Sequence, residues 1–517
     1  MKTTLHRNKT ILPLALFLAT ACGGTGAQEI ALPEGTAVWG GRVKDGSLMP
    51  YETGFEADLA DNRSNQVAPL LLTSGGEYIW SDEPFSFRRT AGGIVILDSS
   101  APVQRVKAGE TLADAYRAAA RAHFPADGAT PPEAFWHQPQ YNTWIELMYD
   151  QNQEGVLAYA RGILENGLPP GIIMIDDTWQ EDYGKWNFHP GRVPDPGAMC
   201  DQLHAMGFKV MLWVCPFVSM DQYLVCREAG KGFLKDKDGA PLPVRWWNGT
   251  SAVLDLGLPA AQEWFRAQLT RLQTEYGVDG FKFDAGDFEH YPEGERAGWE
   301  QCGLYVDLAL DYPYNELRSG WRHAGKPVVQ RLHDKAHSWE DLRKLIPEMM
   351  AESLDGFSFC CPDMVGGGSF ETFLKGETDP EIIVRSAQVH ALMPMMQFSL
   401  APWRVLDAPA YAAVLKAVGL RERMMPLLDR LYRRAADEGE PIVAPLEFYF
   451  PHQGLEKVAD EFMLGDSLLV APVVGPGTQR TVVLPEGSWL ADDGSAYAGG
   501  TYTLQVPLDR LPCFRRQ

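Results

Sequence analysis

The sequence predicts an α/β protein built on a (β/α)8 barrel, or TIM barrel, between a short N-terminal β domain and a C-terminal β-sandwich domain. Over about 300 residues, apolar strand-like runs alternate with amphipathic helical segments, the pattern of parallel strands covered by helices. Polar residues, mostly aspartates, follow the ends of successive runs. Such barrels place their chemistry at these strand ends.

The first 22 residues resemble an export signal and are predicted to lie outside the fold. A basic start precedes the short apolar run Ile11–Ala21, which is too short to span a bilayer as a helix. Cys22 ends the run and is followed by two glycines, as in a bacterial lipoprotein box, so we expect lipidation of Cys22. Because Ala19 stands where such a box usually has leucine, a plain secretory signal is the alternative. The expected location is the cell envelope or the periplasm, and the lipid anchor is the only membrane contact expected.

The remaining chain divides by composition into a tether and three domains. Residues 23–34 are predicted to be the tether, 35–125 the N-terminal β domain, 130–436 the barrel and 437–517 the C-terminal β-sandwich. The predicted barrel strands are Gly171–Ile175, Lys209–Val214, Val278–Phe283, Pro327–Leu332, Gly356–Cys361, Met395–Phe398 and Phe135–Trp144. Predicted helices are Thr111–His123, Asn152–Asn166, Ala260–Tyr276, Trp339–Met350 and Ile382–Leu392.

Charge and cysteine usage exclude several classes of function. The formal charge is −22 and no segment is dense in Lys and Arg, so no nucleic-acid partner is expected. Seven cysteines remain besides Cys22, without any CxxC pair, which fits neither a disulfide scaffold nor a zinc site. We expect most of them to be buried as small apolar side chains.

The segment Tyr276–Asp287 carries the most informative pattern. Its apolar run ends at Asp284, which a barrel strand would direct into the barrel mouth. Lys282 lies two residues earlier on the same face of the strand, where its ammonium could keep Asp284 ionised. An ionised carboxylate there suits a nucleophile. The other interpretation is a carboxylate that satisfies a local turn with Lys282 as its partner.

A second carboxylate, Asp334, follows the next predicted strand, 50 residues further along the chain. Adjacent strand ends bring side chains together across the mouth, and a retaining glycosidase needs two carboxyl groups about 5–5.5 Å apart. One attacks the sugar and the other protonates the leaving oxygen, for which Asp334 needs a raised pKa, from burial or from the charge of Asp284. Capping the helix that begins near Ser338 is the other role open to Asp334, although Ser338 is the better capping residue.

These residues resemble glycoside hydrolase family 31, in which the catalytic Asp follows a strand ending K-x-D-x-G-E/D. The resemblance is closest to the clade of that family that contains bacterial α-galactosidases. It runs in order from about residue 135 to the end of the chain, through Pro243–Gly249, Phe281–Gly286, Leu345–Pro347, Pro362–Gly367, Pro394–Ser399, Pro402–Arg404 and Phe462–Val473.

The resemblance implies a role for each matching residue. Asp284 corresponds to the nucleophile and Asp334 to the general acid/base of a double displacement. Arg318, expected just before the fifth strand, corresponds to an arginine that hydrogen-bonds the sugar in subsite −1, and Trp213 to an aromatic residue that lines this subsite. The other implied site residues are Asp176 or Asp177 for sugar hydroxyls, Trp179, Trp247 and Trp403 for further walls, Lys282, and Asp363, which holds the surroundings of the nucleophile. Core packing is the alternative for each tryptophan.

Two features depart from the family pattern. The N-terminal β domain is much shorter than usual, which leaves its part in the sugar site open. Asp287 follows Gly286 where this clade often has glutamate, a conservative change that shortens the reach of the carboxylate.

The resemblance therefore implies a retaining, exo-acting α-glycosidase that acts on an α-linked oligosaccharide or glycoside, without a cofactor or a metal ion. α-Galactose is the expected sugar, and α-glucosidase and α-xylosidase are the alternatives, because galactose differs from glucose only in its axial 4-hydroxyl. A non-catalytic glycan-binding lipoprotein is an alternative of another class, although both catalytic aspartates are present. A metal-dependent hydrolase lacks support because no HxH pair or other metal-ligand spacing occurs.

Overall fold

The computed structural model describes residues 28–228, 232–236, 238–291, 296–375 and 378–517. The predicted leader 1–22 with Cys22, and the first five residues of the predicted tether, lie outside the described residues. Within the described ranges, no helix has both the length and the hydropathy needed to cross a membrane.

Eight short strands form the N-terminal β domain as two antiparallel sheets of four strands. In spatial order, the first sheet contains Gln28–Ala31, Gly93–Ser99, Phe85–Thr90 and Glu56–Asp58, and the second contains Val38–Trp39, Leu70–Thr73, Glu77–Trp80 and Gln104–Lys107. Because Gln28–Ala31 pairs with the strand Gly93–Ser99, residues 28–31 of the predicted tether 23–34 belong to this sheet. The helix Leu112–His123 follows, and Thr111 caps its N-terminus.

Two short elements attach the N-terminal domain to the barrel. The 3-10 helix Val43–Leu48 packs on a barrel helix so closely that a Cβ on Gly46 would lie 2.6 Å from the Cα atom of Glu348. The strand Gln66–Val67 pairs in parallel with Gly320–Trp321, which follows a barrel strand. These contacts bring the N-terminal domain to the end of the barrel at which the strands finish.

Eight parallel strands form the barrel, as the sequence predicts. They are β1 Gln140–Asn142, β2 Ile172–Ile175, β3 Lys209–Val214, β4 Gly280–Phe283, β5 Tyr314–Leu317, β6 Gln330–Arg331, β7 Cys360–Cys361 and β8 Gln397–Phe398. Their spatial order is β7-β6-β5-β4-β3-β2-β1-β8. A bridge between Met364 and Gln397 joins the chain after β7 to β8 and nearly closes the barrel.

One barrel strand, β5, is absent from the strands predicted from the sequence. Asn315 and Glu316 occupy its centre, and both are buried, so this strand lacks the apolar run that marks the others. Consequently Asp334 follows β6, two strands beyond Asp284 rather than on the adjacent strand. The prediction that the two aspartates end consecutive strands is wrong.

Helices cover the outside of the barrel. They include Ala134–His137, Trp144–Leu147, Gln153–Glu165, Pro196–Ala205, Pro259–Tyr276, Gly298–Ala309, Trp339–Leu354, Phe370–Lys375, Pro380–Ala391, Pro402–Val405 and Ala408–Glu438. The four predicted barrel helices are all observed with shifted ends, and Ser338 caps Trp339–Leu354 as predicted. Residues 318–329, all described, contain no helix, and the strand Gln66–Val67 of the N-terminal domain packs at this place instead.

Two insertions extend the barrel mouth. After β2, the strands Gln180–Asp182 and Lys185–Phe188 form a hairpin. After β3, the strands Phe217–Ser219, Pro243–Trp246 and Gly249–Val253, with the helix Met220–Glu228, form a small antiparallel unit. Both follow strand ends, so their side chains reach the region where the candidate site lies.

Six strands form the C-terminal β domain as one antiparallel sheet. Its spatial order is Val443–Ala444, Phe462–Leu464, Leu468–Val470, Cys513–Arg516, Gln479–Ala491 and Ala496–Gln505, and the short helix Leu446–Tyr449 follows the first strand. One hydrophobic cluster joins the N-terminal sheets to the barrel, and a second joins the barrel interior to the C-terminal strands. The seven described cysteines are all buried, as predicted for most of them.

Candidate active site

Asp284 lies at the C-terminal end of β4, where the chain turns sharply. Its N–H donates to the carbonyl of Val214 at 2.9 Å, which fixes the strand end against β3. Ala285 and Gly286 then adopt positive φ angles of 55° and 74°. A Cβ on Gly286 would lie 2.7 Å from the ring of Tyr305, so this turn requires glycine for space as well as for conformation.

Three side chains surround the Asp284 carboxylate. The indole N–H of Trp213 donates to Oδ2 at 2.8 Å. The Nη1 atom of Arg318 lies 3.6 Å from Oδ1, and the Nζ atom of Lys282 lies 3.9 Å from Oδ2. Oδ1 is buried and accepts no hydrogen bond from the described residues. One oxygen is therefore held by Trp213, while the other keeps unused lone pairs.

Nearby charges keep Asp284 ionised. Burial alone would raise its pKa, but Arg318, Lys282 and Arg331 outweigh burial and hold the pKa well below the ordinary value. Lys282 helps to keep Asp284 ionised, as expected, but it also pairs with Asp176. Its ammonium lies closer to Asp176, at 2.7 Å. Lys282 thus bridges the carboxylates that follow β2 and β4.

Arg318 is oriented from both sides. It comes directly after β5, not before the fifth strand as predicted, because β5 was missed. Its guanidinium forms an ion pair with the buried Asp287 and lies 5.0 Å from the ring centroid of Trp247. His290 Nδ1 lies 3.3 Å from the same carboxylate of Asp287. Asp287 therefore fixes Arg318 beside Asp284, despite being one methylene shorter than the glutamate common at this position.

Asp334 lies on the more open side of the site and shares an arginine with Asp363. The Nη1 atom of Arg331, at the end of β6, donates to Asp334 Oδ1 and to Asp363 Oδ1, both at 2.8 Å. The Asp334 side chain is 36% exposed, whereas that of Asp363 is fully buried. Asp363 Oδ2 also accepts the N–H groups of Lys335 and Gly368. Asp363 thus anchors Arg331, and Asp334 faces the opening.

The raised pKa expected for Asp334 is not observed. Burial and the charge of Asp284 act to raise it, but Arg331, Lys282 and Arg318 lower the pKa of Asp334 below its ordinary value. The raised value belongs to Asp363, where burial, helped by the charge of Asp334 and opposed by Arg331, raises the pKa to about 7. Two carboxylates on one guanidinium titrate as a pair, and the proton resides first on the buried member.

Two aspartates, Asp176 and Asp177, directly follow β2, and the side chains of both contact other residues of the candidate site. Asp176 receives the ammonium of Lys282, while Asp177 accepts from Tyr183 Oη at 3.0 Å and from Asn248 Nδ2 at 2.5 Å. Burial and the charge of Asp176 raise the pKa of Asp177 to about 7. The two insertions therefore supply a polar wall beside Asp177, since Tyr183 and Asn248 come from different insertions.

The predicted tryptophans fall into three environments. Trp213 contacts Asp284, and Trp247 is 45% exposed beside Arg318, so both lie at the site. Trp179 is fully buried and its indole N–H donates to the carbonyl of Trp213, which makes it a support behind the wall. Trp403 is not in the site. It packs against Gly162 and the ring of Tyr159 because the short helix Pro402–Val405 directs it to the outer helices.

The N-terminal domain reaches this site through three buried amides. Asn65 Nδ2 donates to the carbonyls of Arg318 and Arg331 at 2.9 and 3.2 Å. Gln66 Nε2 donates to the carbonyl of Arg318 at 2.8 Å and to that of Arg331 at 3.3 Å. Asn62 Nδ2 donates to Ser319 Oγ at 2.6 Å. The shortened domain thus binds the backbone of the two arginines that hold the site's aspartates.

Sequence reasoning missed several residues of this group. Arg331, three residues before Asp334, is the common partner of Asp334 and Asp363. The buried Glu316 lies 3.4 Å from Arg331 Nε. Had β5 been recognised, the positions of Arg331 and Glu316 on neighbouring strands could have indicated both residues. Asn248 lies in the matching stretch Pro243–Gly249, but only Trp247 of that stretch was assigned a role. No local signal marks Asn65, because it reaches the site from a separate domain.

One group of side chains has the composition of a metal site. Asp287, Glu289 and His290 are the only three among the described residues whose potential ligand atoms lie within 4.8 Å of one another. Asp287 already forms an ion pair with Arg318, and that guanidinium would repel a second cation at the same carboxylate. Glu289 is exposed and accepts from Ser64 Oγ. The group fits the orientation of Arg318 better than a metal centre.

The fold and the site together define the class of (β/α)8-barrel glycoside hydrolases. Two family models match the chain, the glycosyl hydrolases family 31 TIM-barrel domain over residues 136–305 and 310–431 and the glycosyl hydrolase family 31 C-terminal domain over residues 439–517. The chain belongs to glycoside hydrolase family 31, as the sequence resemblance indicated.

Several known proteins are similar to this chain. Myogenesis-regulating glycosidase of Mus musculus is 34% identical over 419 residues, which cover 76% of this chain and 58% of that protein. The 1,3-alpha-isomaltosidase of Kribbella flavida is 28% identical, covering 68% of this chain and 56% of that protein. The chain thus spans little more than half the length of these relatives.

Solved structures show the same fold. A family 31 dextranase of Flavobacterium johnsoniae complexed with glucose superposes with a TM-score of 0.83 at 19% identity, covering 94% of this chain and 66% of that one. A family 31 alpha-xylosidase from a soil metagenome, complexed with xylose, superposes with a TM-score of 0.79 at 21% identity. The match covers 94% of this chain and 78% of that one.

Proposed function

We propose that this chain is a retaining, exo-acting α-glycosidase that uses Asp284 as nucleophile and Asp334 as general acid/base. The observation that carries the proposal is the state of Asp284. It is a buried carboxylate kept ionised by three cations, with one oxygen fixed by Trp213 and the other without a hydrogen bond. A desolvated, ionised carboxylate with free lone pairs is what covalent catalysis requires of its nucleophile.

The proposed reaction proceeds in two displacements. In the first, Asp284 attacks the anomeric carbon, the bond to the leaving oxygen breaks, and that oxygen takes the proton of Asp334. In the second, Asp334 removes a proton from water, the water attacks the same carbon, and Asp284 is released. Two inversions give net retention of the α-configuration.

The acid role of Asp334 needs a source of the proton, and Asp363 supplies one. Arg331 touches both carboxylates, so the pair can hold one proton up to about neutral pH. A sugar bound over Asp334 would exclude water from its exposed side, which disfavours the charged form and moves the proton toward Asp334.

For the sugar we propose an α-galactoside, with α-glucoside and α-xyloside as the alternatives. The proposal for galactose rests on the resemblance to the galactosidase clade. The relatives and structures named above include an isomaltosidase, a dextranase and a xylosidase, which support α-linked glucose or xylose equally well. The preference would depend on the Asp177, Tyr183 and Asn248 group, because one axial hydroxyl decides which epimer leaves buried polar groups unpaired.

A panel of α-linked aryl glycosides tests the function, and proton NMR of the first product tests retention. Asp284→Ala should abolish turnover on every substrate. Asp334→Ala should lower turnover most on substrates with poor leaving groups and least on dinitrophenyl glycosides. Azide should restore part of the activity. Asp307→Ala, which removes an exposed carboxylate bonded to His323, serves as the control. Equal loss on good and poor leaving groups would contradict the role of Asp334.

We also propose that the protein is exported and anchored through a lipid on Cys22. The basic start, short apolar run and Cys-Gly-Gly sequence support this proposal. Metabolic labelling with a palmitate analogue tests it. Label that disappears in Cys22→Ser supports lipidation, whereas a secreted, unlabelled wild type contradicts it.

A further inference from the structure

A cavity of about 500 Å³ lies outside the barrel between two helices and the C-terminal sheet. The helices Pro380–Ala391 and Ala408–Glu438 form two sides, and the ends of the C-terminal strands form the third. None of the active-site residues described above lines it. Its volume lies within the range of sites that bury most of a small organic ligand.

The floor of this cavity is apolar. The side chains that form it are Leu392, Ala417, Leu420, Met424, Leu468, Leu511 and Cys513. Its polar member, Gln388, is already satisfied, because Nε2 donates to the carbonyl of Leu508 at 2.6 Å and Oε1 accepts from Arg385 at 3.1 Å. A sugar would find few free partners here, so the cavity does not suit a second carbohydrate site.

The rim carries more positive than negative charge. Lys416 pairs with Asp509 at 2.8 Å, and Arg510 holds both carboxylate oxygens of Asp492. Arg423 and Arg515 are exposed at the rim, and neither forms an ion pair with any described residue. Two exposed guanidinium groups without an ion pair to a described residue therefore lie beside an apolar cavity. They favour a ligand with an apolar body and a negative end.

We propose that this cavity binds a small amphipathic anion, namely the hydrocarbon chain and carboxylate of a free medium-chain fatty acid. The chain lies along the leucines of the floor, where burial of each methylene removes apolar surface from water. The carboxylate lies between Arg423 and Arg515. This site is separate from the glycosidase site, so it stands or falls independently of the proposed function.

Calorimetric titration of the full chain with octanoate, decanoate and dodecanoate, all below their micelle concentrations, tests the site. We expect one saturable site and a Kd that falls by about fourfold per added methylene until the cavity is full. Dodecanol, which lacks the charge, should bind more weakly than dodecanoate. Absence of saturable binding by all three acids would overturn the proposal.

Variants place the ligand in the cavity. Ala417→Trp fills the floor and should abolish dodecanoate binding, whereas Ala412→Trp, on the exposed side of the same helix, should not. Arg423→Glu combined with Arg515→Glu should weaken dodecanoate by about tenfold or more and leave dodecanol unchanged. The charge control is Arg430→Glu, an exposed arginine of the same helix outside the cavity. If the filled and charge-reversed variants both bind dodecanoate like the wild type, the fatty acid lies elsewhere and the proposal is wrong.

Discussion

The indole N–H of Trp213, at the end of β3, donates to Oδ2 of Asp284, at the end of β4, at 2.8 Å. Trp213 is itself held from behind, because Trp179 donates its indole N–H to the backbone carbonyl of Trp213 at 2.8 Å. A tryptophan in the core thus positions a tryptophan in the site, which in turn fixes the carboxylate.

Trp213→Phe should keep the ring but remove the donor to Asp284. A hydrogen bond to a charged group contributes about 1.5–3 kcal/mol, so we expect kcat/KM to fall by about 10- to 100-fold. The pKa of Asp284 should rise because its ionised form loses a donor, and the acidic limb of the pH profile should move to higher pH. Trp489→Phe is the matched control, since it removes an indole donor in the C-terminal domain. An unchanged acidic limb would contradict this role.

Asp363→Asn should move the alkaline limb of kcat/KM to lower pH. The substitution removes a negative charge that shares Arg331 with Asp334, so the pKa of Asp334 falls further and the acid loses its proton earlier as the pH rises. Asp355→Asn is the control, because it also removes a buried carboxyl of raised pKa but does not contact Arg331. A limb that stays in place, measured with a poor leaving group, would show that the pair does not share the catalytic proton.

The barrel, and the position of most site aspartates at the ends of its strands, could be predicted because both depend on local sequence patterns. Asp284 and Asp363 follow apolar runs, and runs of this kind mark parallel strands. The strand β5 could not be recognised, because the buried Glu316 in its centre forms an ion pair with Arg331 and accepts a hydrogen bond from Gln397 across the barrel interior. The partners that allow this polar strand to be buried come from distant parts of the chain.

The error at Trp403 and the omission of Asn65 have a similar origin. A short helix after β8 turns Trp403 away from the mouth, and its residue type alone does not reveal this direction. Asn65 lies 253 residues before Arg318 along the chain, so only the docking of the N-terminal domain brings the two together. Direction and domain docking are tertiary properties that no sequence window contains.

The contacts of Asn65 predict that the N-terminal domain supports catalysis. Asn65→Ala removes a donor from the carbonyls of both Arg318 and Arg331, which should destabilise the protein by about 1–3 kcal/mol. We also expect kcat/KM to fall by about tenfold or more on poor leaving groups and by less on dinitrophenyl glycosides, because Arg331 positions the acid. Asn166→Ala is the control, because it removes one hydrogen bond of a side-chain amide at a remote helix end. Equal loss on both substrate types would indicate a purely structural role.

A buried carboxyl in the C-terminal domain lies apart from all of this chemistry. Glu461 precedes the strand Phe462–Leu464 and is fully buried, with Oε1 accepting the N–H of Val483 at 2.9 Å. Oε2 has no hydrogen-bond partner among the described residues. Burial raises the pKa of Glu461 to about 8, against the opposing charge of Arg480. The folded protein therefore holds a proton at this site that the unfolded chain has already released at neutral pH.

Glu461→Gln should reduce the loss of stability that accompanies rising pH. A folded pKa of about 8 against 4.5 in the unfolded chain means that the folded state binds more protons between these values, so its stability falls across this window and levels off above it. Glutamine keeps the acceptor for Val483 without titrating. The free energy of unfolding of the variant should therefore exceed that of the wild type by about 4 kcal/mol at most near pH 8, and by little near pH 4.5. Urea unfolding at several pH values measures this difference. Glu486→Gln, at an exposed position of the same domain, should follow the wild type. An equal pH slope in wild type and Glu461→Gln would show that Glu461 is ionised in the folded protein, with its charge balanced by Arg480.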